Sequence, residues 1–378
     1  MAGIYIHVPF CKTKCHYCDF YKSTDFSFRQ DYLKALKKEM ILRKEEMKND
    51  LVQSIYFGGG TPSVLKVPEL EAIIDLIRSL FLLEENVEIT MEGNPDDLDL
   101  PYLHDLQQSS VNRLSIGIQS FSDRDLQGMN RRHRSDQAIE VVHHARQYGF
   151  KNISIDLIYG LPNQCLDDWK KNVEQALLLN VEHISAYDLT YHEGTVFYED
   201  LKKGKIQSVP EELSLEQFNW LCTSLKEAGY EHYEISNFCK SPFYSRHNRS
   251  YWERKKYLGF GPSAHSYDIK SRRWNVANLE AYIRGSEQNE IFWESEILSD
   301  QDQYNDYIIT SLRTSRGISE TTLASLFLPK YVGYFKEEIV PFIQSKHVLK
   351  EGENYRLTTE GLFISDLIMK ELFFLEEV

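Results

Sequence analysis

Three cysteines near the start of the chain, Cys11, Cys15 and Cys18, stand at C-x3-C-x2-C spacing. They follow an apolar run, Ile4 to Val8, that reads as a strand, so the thiols lie on the loop leaving its C-terminal end. Spacings this short let one loop wrap a single metal centre, and soft thiolates select zinc, copper(I) or iron–sulfur. An iron–sulfur cube usually takes four cysteines. With three, one iron keeps an open coordination position for a small molecule, by the logic that leaves a position open on a catalytic zinc. The competing arrangement is a structural zinc knuckle with His16 as fourth ligand. His16 adjoins Cys15, which makes one tetrahedron with all three thiols awkward to close.

Other residues with chemical potential stand just after apolar runs. Ser54 to Phe57 reads as a strand and leads into Gly58-Gly59-Gly60-Thr61-Pro62. Consecutive glycines let backbone approach a ligand closely and present bare N–H and C=O groups; alone, such a run also reads as a flexible turn. Val87 to Met91 alternates as a strand and ends at Glu92, a carboxylate placed to accept from ribose hydroxyls, although a lone Glu is commonly a solvated residue. Asn112 to Ile118 leads to Gln119, and the segment Leu126 to His133 carries Arg131 and His133. Asn152 to Tyr159 carries Asp156, and Glu182 to Tyr187 leads into Asp188-Leu189-Thr190.

These residues need elements to position them. Strands are expected to begin near residues 3, 54, 87, 112, 152 and 182, each followed by a helical stretch such as Arg29 to Lys48, Val67 to Leu82 or Ser135 to Tyr148, the last with Ser135 as N-cap. Repeated βα units give a parallel sheet with right-handed crossovers. Polar motifs after the strands mark the catalytic edge of a TIM-type barrel. Six units rather than eight predict an α/β fold of open, partial (β/α)6 form. Residues 1–210 form this barrel, 211–298 an aromatic-rich flanking segment, and 299–378 a small, mostly helical, winged-helix-like domain.

The chain has 378 residues, 42% hydrophobic, enough for a large core and more than one domain. No apolar run approaches the roughly 18 residues that span a bilayer, and no basic-then-apolar leader opens the chain. A reducing cytoplasm is the expected setting. Cys165, Cys222 and Cys239 are scattered and read as free, small buried hydrophobes. The net charge of -14 repels phosphate and argues against a nucleic-acid partner, leaving only a local basic patch at Arg131, Arg132 and Arg134.

The cysteine stretch resembles the signature of the radical S-adenosylmethionine (radical-SAM) superfamily. Tyr5-Ile6-His7-Val8-Pro9-Phe10 before it and Asp19-Phe20 after it are similar to the branch that holds oxygen-independent coproporphyrinogen III oxidases and the HemW-type heme chaperones. The resemblance covers about residues 3–210. It implies a [4Fe-4S] cluster on Cys11, Cys15 and Cys18, whose open iron chelates the amino and carboxylate groups of S-adenosylmethionine. It further implies that Tyr5, Gly59, Gly60, Thr61, Glu92, Gln119, Arg131, Asp156 and Thr190 contact that cofactor. Asn130 stands where the branch usually has Gly, and Asn163 and Cys165 depart from it after Gly160-Leu161-Pro162. Asn tolerates positive φ, so the turn at Asn130 can survive.

Downstream, aromatic residues accumulate between Tyr244 and Trp274, with Arg246 and Arg249 among them. Flat apolar side chains suit a porphyrin and arginines suit its propionates, though such stretches also build ordinary core. His247-Asn248-x-x-Tyr251 resembles the HNxxY motif of the heme chaperones, which implies heme held by His247, with Asn248 and Tyr251 beside it. His265, in a Gly259-to-Ser266 stretch that also matches, is a second heme candidate. The oxidases carry a further cysteine two residues after the third ligand, where this chain has Phe20, and an extension ahead of the barrel, whereas Cys11 lies close to the first residue. The expected function is therefore heme binding and transfer to apo-hemoproteins. The alternative is oxygen-independent coproporphyrinogen III oxidase, decarboxylating propionates to vinyls. Family analogy implies a homodimer, and membrane contact only peripherally, through acceptors.

Overall fold

The computed structural model describes residues 1–376. Its central strand, β1 (Ala2–Val8), sends Ile4, Ile6 and Val8 to one face and Gly3, Tyr5 and His7 to the other. Five more strands follow in chain order, each parallel to the last: β2 (Val52–Gly59), β3 (Leu83–Gly93), β4 (Arg113–Gln119), β5 (Ile153–Tyr159) and β6 (His183–Asp188). Helices Arg29–Arg43, Val67–Leu80, Leu100–Leu106, Ser135–Gln147 and Leu166–Leu179 fill the crossovers. Their apolar stripes, such as Leu70, Ile73, Ile74 and Ile77 at helical spacing, pack with the outward-facing strand residues Ile55, Phe57, Ile89 and Met91 in one core.

The inward faces of the same strands are polar. Ser54 and Tyr56 stand on β2, Glu88, Thr90 and Glu92 on β3, Arg113 and Ser115 on β4, Ser154 and Asp156 on β5, and His183 and Ser185 on β6. A sheet that buried this face unpartnered would be costly, so the polar groups bond one another. Ser154 Oγ meets His183 Nδ1 at 2.7 Å, and Tyr56 Oη donates to Glu92 Oε1 at 2.7 Å.

The later chain extends the sheet at both edges. After β7 (Glu231–Glu234), β8 (Asn237–Cys239) pairs antiparallel with β6. β9 (Lys256–Phe260) adds a seventh parallel strand on the free side of β1, and β10 (His265–Tyr267), β11 (Ser271–Asn275) and β12 (Trp293–Ile297) continue antiparallel. The order runs β12-β11-β10-β9-β1-β2-β3-β4-β5-β6-β8-β7, an open arrangement with β12 and β7 at its edges. The short helix Arg246–Trp252 lies against the inward face near the start of β2 and β3, where the Glu88 carboxylate accepts from Arg246 N–H and His247 N–H, both at 3.1 Å.

From Ser299 the chain builds a second core around Tyr304, Ile308, Leu323, Phe335 and Ile368. Helices surround a small sheet of order β13-β15-β14, made of β13 (Ile318–Ser319), β14 (Val348–Glu351) and β15 (Asn354–Leu357). Backbone ties join it to the large sheet: Ile235 N–H to Arg313 O at 3.0 Å and Ser315 N–H to Tyr233 O at 3.1 Å.

Two local expectations shift. The first helix ends at Arg43 and passes into a tight turn, Lys44–Met47, because the buried Arg43 guanidinium bonds Glu39, Glu46 and the Gly259 carbonyl. Ser135 is the first helical residue rather than the N-cap; Arg134 takes the cap, and Ser135 N–H donates to Asp123 Oδ1 at 2.8 Å.

Candidate functional site

A cavity of about 410 Å³ opens at the C-terminal ends of the parallel strands, within the range of small-molecule sites. Cys11, Cys15 and Cys18 all line it. Backbone holds their loop from several directions. Cys11 N–H donates to Ser23 O at 3.0 Å, His16 N–H to Met129 O at 3.1 Å, and Phe197 N–H to His16 O at 3.0 Å. Asn130 Nδ2 donates to Lys14 O at 2.9 Å from a turn where Asn130 has φ of 58°. Asn163 likewise takes φ of 62°. Asn enters the left-handed region at small cost, so both turns persist without glycine.

The Cys11 thiol is buried beside Thr61 Oγ1 at 3.2 Å, and burial pushes it up to about 11. A thiolate there needs a bound cation. The His16 ring does not face the thiols; its Nδ1 lies 2.9 Å from Gly128 O. From this loop the cavity therefore receives three sulfurs and no imidazole, a donor set that fits an iron–sulfur cube with one open iron and removes His16 as the fourth ligand of a zinc knuckle.

Gly59, Gly60 and Thr61 line the cavity where β2 passes beneath the cysteine loop. A Cβ on Gly60 would lie 2.8 Å from the carbonyl oxygens of both Val8 and Phe10, and Gly59 has φ of +102°. The approach of these two chain segments requires glycine. Two half-buried carboxyls, Glu92 and Asp156, also line the cavity. Burial lifts Glu92 to about 7, with Asp156 adding to the rise and the Tyr56 hydroxyl opposing it. Burial lifts Asp156 to about 6, against hydrogen bonds from Ser185 and Ser115. Carboxyls held so far above their ordinary range mark sites built to receive hydrogen-bonding partners.

Arg131 spans the cavity wall. Its Nη2 donates to Asn94 Oδ1 at 2.7 Å and Gly117 O at 2.5 Å, and its Nη1 lies 3.5 Å from Cys15 Sγ. Its buried Nε has no partner among the described residues. Gln119 closes β4 with φ of 69°, a left-handed conformation costly for a non-glycine residue, and lines the cavity, as does Thr190 after β6.

Tyr5 lies one layer deeper. Its ring stacks on Tyr56 and His247, each at 6.2 Å between centroids, and its hydroxyl is 3.4 Å from His7 Nδ1. Tyr56, its register partner on β2, is the residue that bonds Glu92. Tyr17, Asn94, Ser115, Tyr187 and Asp188 also line the cavity, beyond the residues expected there. Strand alternation carried the signal for Ser115 and Tyr187; nothing in the sequence singled out Tyr17.

The heme-motif residues stand elsewhere. His247 is 1% exposed. Its Nδ1 is 2.9 Å from Ser54 Oγ and its Nε2 is 2.8 Å from Tyr251 Oη, so both ring nitrogens are engaged. Burial pushes it down to about 3. Its ring stacks on Tyr56, 5.0 Å away, on the inward face of the sheet. Asn248 N–H donates to Ser245 Oγ at 3.2 Å in the first turn of the same helix. His265 lies on β10 with its ring stacked on Trp274. Axial ligation of iron by His247 would require its helix to leave the sheet.

Comparison with known proteins gives a consistent frame. The Radical SAM superfamily profile matches residues 5–176. The chain is 33% identical to a heme chaperone HemW of Bacillus subtilis, covering 97% of both chains, and 31% identical to that of Lactococcus lactis, covering 99% of this chain and 97% of the relative. A solved structure, coproporphyrinogen III oxidase (HemN) from Escherichia coli, a radical SAM enzyme, superposes with a TM-score of 0.84 at 24% identity, over 98% of this chain and 90% of that one. That likeness speaks for the fold.

Proposed function

Since the chain belongs to the HemW family of heme chaperones within the radical SAM superfamily, we propose that it binds heme and passes it to apo-hemoproteins, using a [4Fe-4S] cluster and S-adenosylmethionine. Cys11, Cys15 and Cys18 are the proposed cluster ligands. Gly59, Gly60, Thr61, Glu92, Gln119, Arg131, Asp156 and Thr190 flank the proposed cofactor position, and Tyr5 supports it through Tyr56. When bound, the cluster supplies reducing electrons to S-adenosylmethionine.

The chain's own residues do the rest. Glu92 and Asp156, half-buried and easily protonated, accept from or donate to hydroxyl groups of the ligand. Arg131, at 3.5 Å from Cys15 Sγ, places positive charge beside a thiolate and steadies it. The glycines at the end of β2 keep the floor of the cavity thin.

Full-length likeness to heme chaperones carries this reading. Phe20 supports it against the oxidase alternative. Its ring is 65% exposed at the rim of the cavity, where the oxidases of the branch carry a further cysteine. The decisive experiment is an anaerobic assay of cluster-reconstituted protein with S-adenosylmethionine, a reductant and coproporphyrinogen III, run beside transfer of heme to an apo-hemoprotein. Heme transfer without protoporphyrin formation is expected. Catalytic appearance of protoporphyrin would establish the oxidase instead.

No described helix is long and apolar enough to cross a membrane. We place the protein in the cytoplasm, as a homodimer reaching membranes only through its acceptors. Light scattering of the full chain checks the assembly.

A further inference from the structure

The helix that carries the HNxxY motif has a second face. His247 and Tyr251 turn toward the sheet, but Arg249 and Trp252 line a different cavity, of about 750 Å³, between the sheet edge at β7 and the C-terminal unit. Its aromatic lining comes from both sides: Tyr233, Tyr244 and Trp252 from the sheet side, Tyr307 and Phe327 from the C-terminal unit. Such rings favour a flat apolar ligand.

The polar groups at this cavity hold donors in excess. Arg249, Arg254 and Arg316 line it, against the carboxylates of Glu231 and Glu253. Glu253 is shared by Arg249 at 2.7 Å, Lys255 at 2.7 Å and Arg316 at 3.3 Å, while Glu231 accepts from Tyr244. Arg254 forms no ion pair among the described residues; its Nε donates to Tyr267 Oη at 3.4 Å, and its guanidinium sits 5.8 Å from the Tyr307 ring and 5.9 Å from that of Phe327. The Trp252 Nε1 is buried with no acceptor among the described residues. A buried donor without a partner is costly and is resolved by an acceptor on a ligand.

We propose that this cavity is a binding site for a planar tetrapyrrole dicarboxylate, the macrocycle lying between the two sets of aromatic rings and its carboxylates pairing with Arg254 and Arg316. The proposal rests on the heme-chaperone reading and adds where the cargo sits. It accounts for the motif without requiring a buried histidine to break two hydrogen bonds: the motif secures the helix on one face, and the opposite face meets the ligand. Both structural units contribute to the site, so cargo and C-terminal unit are coupled.

The test uses full-length, cluster-reconstituted protein titrated with hemin, with iron-free protoporphyrin IX and with protoporphyrin dimethyl ester. Two variants are compared with wild type: Arg254→Gln combined with Arg316→Gln, and Thr322→Trp, which fills the cavity from the C-terminal side. Cluster content and S-adenosylmethionine binding report that the barrel of each variant is folded, and the near-UV circular dichroism and urea midpoint report that the C-terminal unit is. Affinity for hemin and protoporphyrin IX should fall about tenfold or more in the arginine variant, the scale of lost charge-assisted hydrogen bonds, with no such fall for the ester. Thr322→Trp should weaken all three. Affinities within about twofold of wild type in both variants would overturn this site and leave the heme-chaperone reading standing. A wild-type protein that binds neither hemin nor protoporphyrin IX would overturn that reading, and the site with it.

Discussion

Glu92 holds its charge at a cost. Burial raises its pKa from 4.5 to about 7. Between those values the native state keeps a proton that the unfolded chain has released, so stability falls as pH rises through that window. At about 1.4 kcal/mol per unit, full ionisation costs the cofactor-free fold on the order of 3 kcal/mol. Glu92→Gln keeps an acceptor for Tyr56 and removes the charge. It should raise the urea midpoint of cofactor-free protein at about pH 8, leave it nearly unchanged at about pH 4, and weaken S-adenosylmethionine binding. Equal midpoints at the higher pH would show that solvent or Arg113 already relieves the charge. At this scale much was legible. Cys11, Cys15, Cys18 and Gly60 stand after strands and Glu92 and Asp156 within them, on the inward face, and the two asparagine turns take the positive φ that asparagine tolerates. Tyr56 was not legible, because a tyrosine in a strand carries no mark of which carboxyl it will meet.

Alternation along the strands explains the sheet. Apolar residues face the helices and polar ones face inward, as in Val87-Glu88-Ile89-Thr90-Met91-Glu92. The seventh parallel strand, β9, was not read as a strand. The strand and helix before it, β8 and Arg246–Trp252, are only three and seven residues long, and its partner β1 lies far away in the chain, with Ala2 opposite Lys256. The helix Arg246–Trp252 depends on a similar long-range contact. Glu88→Ala would leave Arg246 N–H and His247 N–H without their acceptor. A loss of about 2–6 kcal/mol is expected, at about 1–3 kcal/mol for each of the two unsatisfied donors. Urea denaturation measures it, and a loss under about 0.5 kcal/mol, the size of an ordinary surface change, would mean that the helix is held by packing alone. By the same logic, His247→Ala would remove a bridge between Ser54 and Tyr251, so its effect on heme has to be read beside its effect on stability.

The molecule as a whole has two cores, joined by a few backbone ties and by Leu362 and Phe363, which pack on the larger one, and this division sets what can fail separately. Phe335 is fully buried in the smaller core, against Tyr355. Phe335→Ala should cost about 3–5 kcal/mol, carried by the C-terminal unit. Cluster content and S-adenosylmethionine binding should persist while porphyrin affinity falls. Joint loss of cluster and porphyrin would show that the two units unfold as one. The division between what sequence and tertiary structure decide follows the range of the interactions. The sequence by itself determined the cysteine loop, the parallel βα order and the polar cavity edge, because these rest on residues close along the chain: thiols on one loop, glycines beside a strand, and an alternation of period two. Only the tertiary structure decided that His16 turns to Gly128, that Tyr5 stacks on Tyr56, and that His247 faces the sheet while Arg249 and Trp252 face the second cavity. Those outcomes depend on burial and on partners distant in sequence, Ser54 for His247 and Tyr307 for Arg254, and local pattern carries no record of them.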